Sequence, residues 1–149
     1  MVRGKKDTYV GMYLDYRSPG GVILSVDSYI KEAIGEFPEE IMKTIKKQVR
    51  KHLFKVNNAC VNLCKIDMII FHRLVENLLF LRKRTRPDIQ PIIAFLMTRV
   101  QNLDEEDWKK LQRVLSYLNA TINSVKLHLN ANNLNVSHWW FNASYGTHP

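Results

Sequence analysis

Two cysteines, five prolines and six glycines are all that this chain of 149 residues carries of those types. Cys60 and Cys64, spaced C-x-x-x-C, are its only cysteines. They fall short of the four ligands of a structural zinc site, and His52 and His72 do not complete any standard finger spacing. The plainer expectation is two small, buried thiols. No run approaches the ~20 apolar residues of a spanning helix, and "MVRGKKDTYV" has no signal-peptide core, so the expected location is intracellular, cytoplasmic or nuclear, with no membrane partner. The sequons at Asn119, Asn135 and Asn142 need a secretory route that nothing else in the sequence supports. Internal repeats are absent, as is a Gly-rich phosphate loop, since Gly20–Gly21 lacks a strand-to-helix setting.

Acidic residues are also in short supply. Fourteen Asp and Glu face 22 Lys and Arg, a formal charge of +8. Such a balance favours polyanions, nucleic acid before an anionic membrane surface, and a merely basic solvated surface stays open beside it. With 46% hydrophobic residues the chain is long enough for one ordinary core.

Periodicity supplies the elements. Residues 8–26 read as a β-hairpin: "TYVGMYLDY" places Val10, Met12, Leu14 and Tyr16 on one face, "RSPGG" turns, and "VILSV" returns. Asp27 or Ser28 then caps a helix whose inner face is Ile30, Ala33, Ile34 and Phe37. Pro38 ends that helix, with Glu39 and Glu40 suited to the first turn of the next. Segment 39–56 carries Ile41, Ile45, Val49 and Leu53 at spacing four. Around them lie six cations in thirteen positions without an acid between, the pattern of a basic amphipathic helix.

Asp67 is expected to cap "MIIFHRLVENLLFLRKR", with Ile70, Phe71, Leu74, Val75, Leu78 and Leu79 inward and the basic end complementing the dipole. "IQPIIAFLMTRV" continues as a helix, Pro91 being tolerated in its first turn. "LDEEDWKKLQRVLSYL" follows with Asp104 and Asp107 as a capping pair, and Trp108, Leu111, Val114, Leu115 and Leu118 inward. The chain then returns to strands: "SVKLHL" alternates, "NANN" turns, and "LNVSHWWFNASYG" pairs back. Trp139 and Trp140 fall on opposite faces of that strand.

Three of these stretches carry a resemblance: "VGMYLDY…GGVILSVDSYIKEAIGEF", "KRTRPDI" and "DEEDWKKLQRVLSYLNAT". In this order the chain resembles, from about Tyr9 to Tyr145, the polyprotein of copia-type retrotransposons downstream of the reverse-transcriptase catalytic centre. The resemblance implies an α+β fold in three parts. Residues 8–26 would close the polymerase palm, 27–122 would form a helical thumb and connection, and 123–149 would open an RNase H domain. It implies a reverse transcriptase/RNase H segment without catalysis. The Tyr-x-Asp-Asp element would lie upstream, and Asn142 stands where the family has the first RNase H aspartate. An amide offers one neutral oxygen, whereas two-metal hydrolysis needs anionic ligands, so no cofactor is expected here and Mg2+ belongs to the intact family enzyme.

The activity that the resemblance leaves is phosphate binding to DNA, RNA or an RNA–DNA duplex, weak in sequence preference and steep in salt. Lys46, Lys47, Arg50 and Lys51 are the first candidates, then Lys83, Arg84 and Arg86, then Lys109, Lys110 and Arg113. Each of these could instead be a solvated helix cation. A second reading is a protein–protein or self-association module that uses surfaces left bare where palm and RNase H would dock. An independent enzyme has little to stand on. The acids at 104–107 suit a helix start, His72 and Glu76 suit a helix-surface pair, and Ser25, Ser28 and Ser144 have no visible triad partners.

Overall fold

A computed structural model describes residues 4–17, 19–41, 45, 54–57 and 59–130. Among them are four strands, β1 (Lys6–Tyr9), β2 (Met12–Asp15), β3 (Gly21–Ser25) and β4 (Leu127–Asn130). The helices are α1 (Asp27–Gly35), α2 (Lys65–Arg84), α3 (Gln90–Arg99) and α4 (Glu105–Thr121), with a single 3-10 turn at Pro87–Ile89. The fold is α+β: one antiparallel sheet in the order β1-β2-β3-β4, with the helices gathered on its inner face.

The expected N-terminal hairpin is a three-stranded meander. "TYVGMYLDY" is not one strand, because Val10 (φ 48°) and Gly11 (φ 73°) both take positive φ and fold it back on itself. Two central residues at positive φ make the two-residue turn that matches strand twist. Gly11 suits it. Val10 does not, since a β-branched residue there is strained, and the alternation of the flanking residues hid the turn. Met12 and Leu14 still face inward, but Val10 is exposed.

The C-terminal strand also departs from expectation. β4 pairs with β3, Leu24 opposite Leu127 and Ile23 opposite His128. The strand within 123–130, the part of 123–149 that is described, therefore lies in the same sheet as the N-terminal strands. The second strand of the expected C-terminal hairpin, with Trp139, Trp140 and Asn142, lies outside the described residues.

Apolar spacing placed the helix faces well. Ile30 and Ala33 on α1, with Phe37 just beyond, join Phe71, Leu74, Val75 and Leu78 on α2, and Ile92, Ile93 and Leu96 on α3. α4 adds Leu111, Val114, Leu115 and Leu118, each fully buried. One continuous core results, each such side chain contributing about 1.5–3 kcal/mol.

The caps were read less evenly. Asp104 caps α4 as expected, its Oδ1 accepting from Asp107 N at 2.9 Å. α1 has Val26 at its N-cap, so Asp27 lies inside the first turn and caps nothing. α2 begins at Lys65, ahead of Asp67, because Cys64 is the N-cap. Its Sγ accepts from Asp67 N at 3.5 Å and donates to Asp67 Oδ2 at 3.1 Å, so one thiol meets both the amide and the carboxylate of Asp67. Of the expected basic helix over 39–56, the described residues 39–41, 45 and 54–56 are not helical, and the rest lie outside the described residues.

The first and third stretches behind the family resemblance meet at the end of α1 and the start of α4. Phe37 stacks on Trp108 with ring centroids 4.8 Å apart, and the Trp108 indole donates to Glu39 Oε1 at 2.7 Å. Gln112 Nε2 donates to the other Glu39 oxygen at 2.9 Å. Backbone bonds from Leu63 to Leu103 and from Glu105 to Val61 tie the start of α2 to the start of α4.

Candidate nucleic-acid interface

Ten cations were candidates for phosphate contact. Lys46, Lys47, Arg50 and Lys51 lie outside the described residues. The other six are distributed very differently from a single basic face.

Arg86 is 1% exposed and faces the core. It sits just before the 3-10 turn, where the chain leaves α2, and Pro87 fixes the bend. Nε and Nη2 donate to the two Asp88 oxygens at 2.9 and 2.8 Å, and Nη2 also donates to Thr121 Oγ1 at 2.8 Å. Its guanidinium lies 5.3 Å from the centre of the Tyr117 ring, and the Tyr117 hydroxyl donates to Asp88 Oδ2 at 2.7 Å. Burial pushes the Asp88 carboxyl up, but the bonds from Arg86 and Tyr117 outweigh it and hold the group below its ordinary range. Burial pushes the Tyr117 phenol up, and the neighbouring carboxylate adds to that. Arg86 is thus a fastener between the "KRTRPDI" stretch and the end of α4. At 1% exposure its charge is spent inside the fold, not presented on the surface where a phosphate would bind.

Lys110 is also engaged. Its side chain is 13% exposed, with Nζ 3.2 Å from Asp107 Oδ1, 3.0 Å from the Lys55 carbonyl and 4.7 Å from the centre of the Phe95 ring. Lys110 is therefore not a solvated helix cation. Arg113 is half-buried. Lys109 is exposed, with Glu105 at 4.0 Å one turn back. Lys83 and Arg84 are exposed at the C-terminal end of α2, and Arg84 lies 5.3 Å over the Phe80 ring. Since Thr121 meets Arg86, α4 ends where α2 ends. Lys109 is a dozen residues back along α4, about 18 Å away from that end. The structure brings Lys83 and Arg84 together and leaves Lys109 apart.

The acid run at 104–107 is an ion-pair network that the sequence did not disclose. Arg99 Nε donates to Asp107 Oδ2 at 3.0 Å, while Nη2 reaches Asp104 Oδ2 at 3.1 Å and the Asn102 carbonyl at 2.9 Å. Asp107 is wholly buried. Two of the four acids are therefore consumed in holding α3 to α4. His72 does not need Glu76: its Nε2 lies 2.9 Å from the Val100 carbonyl, and a carbonyl only accepts, so this nitrogen carries the proton. Cys60 is half-buried, and burial first, then the Glu106 carboxylate, push its thiol up, away from nucleophilic use. Among the described residues no three His, Cys, Asp or Glu side chains group to hold a metal ion, and no helix is long and apolar enough to cross a membrane.

Sequence reasoning passed over a second basic region, on the outer face of the sheet. Lys6 on β1, Arg17 after β2 and Lys126 before β4 border one cleft of about 430 Å³. Arg17 clasps Asp15 through Nε at 2.9 Å to both oxygens and through Nη2, which brings the Asp15 carboxyl down to about 2. Lys126 Nζ lies 3.9 Å from Asp27. The alternation of β2 could have shown Tyr13 and Asp15 on this face. The pairing of β4 with β3, which delivers Lys126, is a long-range fact with no local signal.

No family model matches the chain, and neither the curated proteins nor the solved structures contain a match to it.

Proposed function

We propose that the chain is a non-catalytic segment of a copia-type reverse transcriptase/RNase H polyprotein that binds nucleic acid through phosphates, with little regard to sequence. The family part of this reading rests on the order of its three motif stretches. The catalytic part rests on Asn142: one neutral amide oxygen in place of a bridging carboxylate gives a two-metal site too little negative charge. The binding part is carried by one observation, the adjacent exposed cations Lys83 and Arg84 at the end of α2 on a chain of net charge +8. Cations so placed displace counterions from a phosphate backbone, and each contact adds about 0.9 to the salt slope on duplex DNA.

Replacing Lys83→Gln and Arg84→Gln together is expected to weaken duplex binding at low salt and to reduce the slope of log K against log salt by about two. Fluorescence anisotropy across a salt series measures both. Duplex affinity and slope identical to the parent protein would overturn the assignment of these residues.

A further inference from the structure

Resting on the nucleic-acid reading above, we infer that the outer face of the sheet is a platform for single-stranded nucleic acid, with Tyr13 stacking on a base and Lys6 and Lys126 meeting the flanking phosphates.

The side of the sheet decides which residues are available. Met12 and Leu24 are buried against the helices, so their neighbours Tyr13, Asp15, Ile23 and Ser25 point the other way. Tyr13 is 58% exposed, an unusual state for a large ring on a central strand. Its cross-strand partners are Thr8 on one side and Ser25 on the other, both too small to cover it. The ring therefore presents an open face, held by a strand on each side. His128 stands opposite Ile23 and so shares this face, two strands from Tyr13, about 10 Å across the sheet.

The charges fit a single strand better than a duplex. Three cations border the cleft against two carboxylates, Asp15 and Asp27, leaving one net positive charge. Asp15 is occupied by Arg17, and Lys126 is held loosely by Asp27 at 3.9 Å. Lys6 forms no ion pair among the described residues. A surface so balanced releases few counterions, so the electrostatic part that dominates duplex binding is small here and stacking has to supply the rest. Stacking does not need a high charge, and every base has a face to offer, so the expected specificity is for unstacked bases rather than for sequence. A cleft of about 430 Å³ suits one or two nucleotide units. Ser25 and Ser28 line it as neutral hydroxyls able to donate to phosphate or sugar oxygens.

The test uses the full chain and a labelled eight-nucleotide oligo-dT beside a blunt duplex, both by anisotropy. Tyr13→Ser is expected to lower oligo-dT affinity about tenfold or more, Tyr13→Phe to preserve it, and neither to alter duplex affinity. The pair Lys6→Gln with Lys126→Gln is expected to lower oligo-dT affinity and flatten its salt dependence. Circular dichroism checks that each variant is folded. Oligo-dT binding by Tyr13→Ser equal to that of the parent would overturn the platform while leaving duplex binding through Lys83 and Arg84 intact. A parent protein that binds the duplex but not oligo-dT would do the same. A parent that binds neither would overturn both readings.

Discussion

The molecule carries two arginine–aspartate pairs of nearly the same local design. In each the partners are two residues apart, and in each Nε and Nη2 both face the carboxylate: Arg86 with Asp88, and Arg17 with Asp15. Their carboxylates are about equally exposed, Asp88 at 25% and Asp15 at 22%, and the difference lies in the arginines. The Arg86 side chain is 1% exposed, wedged between α2 and α4 beside Tyr117 and Thr121, with Nη1 buried and without a hydrogen-bond partner among the described residues. The Arg17 side chain is 61% exposed on the outer sheet face. Local sequence specifies the pair, and the tertiary neighbours decide what the pair is for. A buried pair matters because losing one partner strands the other charge away from water. An exposed pair adds little to stability, since water and salt stand in for either partner.

The largest expected effect falls on the buried side. Asp88→Asn leaves the Arg86 charge buried without its counter-ion, and the cost is about 3 kcal/mol, read as a lowered urea midpoint. The same substitution alters the acid limb. Asp88 has a depressed pKa in the folded state, so its stabilisation is complete above the unfolded value of about 3.9 and drains away as the pH falls through the folded value. The variant should therefore lose less stability between pH 5 and pH 2 than the parent does. Equal urea midpoints for parent and variant, or identical acid limbs, would mean that the buried and exposed pairs are energetically alike.

A smaller effect, of opposite sign, belongs to the sheet. Val10 is exposed and held at φ 48°, where a branched side chain is crowded and Asn is tolerated. Val10→Asn keeps the turn and relieves that strain, for a gain of about 1 kcal/mol in thermal or urea unfolding. A loss of stability instead would show that Val10 contributes contacts that outweigh its backbone conformation.

How much of this was legible depended on range. The inner faces of α1, α3 and α4 came directly from spacing, because burial of a helix face imposes a period that survives any tertiary detail. The Asp104 cap was legible for the same local reason. The Cys64 cap was not, since a thiol is a weak acceptor and an uncommon N-cap. Arg86 was misplaced because its charge suggests water, while its burial is imposed by Thr121, 35 positions on. Lys110 was misplaced because Asp107 and the Lys55 carbonyl draw it inward. The outer-sheet cleft needed strand β4, whose partner β3 is a hundred residues earlier, and no local pattern encodes that register. The motifs that suggested a family are themselves largely packing devices: Arg86, Asp88, Tyr117 and Thr121 in one junction, Phe37 and Trp108 in another.

The exposed pair offers the finest discrimination. Asp15→Asn removes a carboxylate from the sheet face and frees Arg17 from its clasp. Because the Arg17 end of the pair is solvated and can turn to water when its partner is lost, the unfolding midpoint should move little, in contrast to Asp88→Asn. The effect should surface in binding. One fewer negative charge beside Tyr13 and Lys6, together with a released guanidinium, is expected to raise oligo-dT affinity a few-fold at low ionic strength, with the gain fading as salt screens the cleft. Parallel melts and anisotropy titrations at two salt concentrations separate these outcomes. A shifted melt without a change in affinity would place Asp15 among the groups that hold the sheet together, and would remove the distinction between a pair that fastens the fold and a pair that tunes a surface.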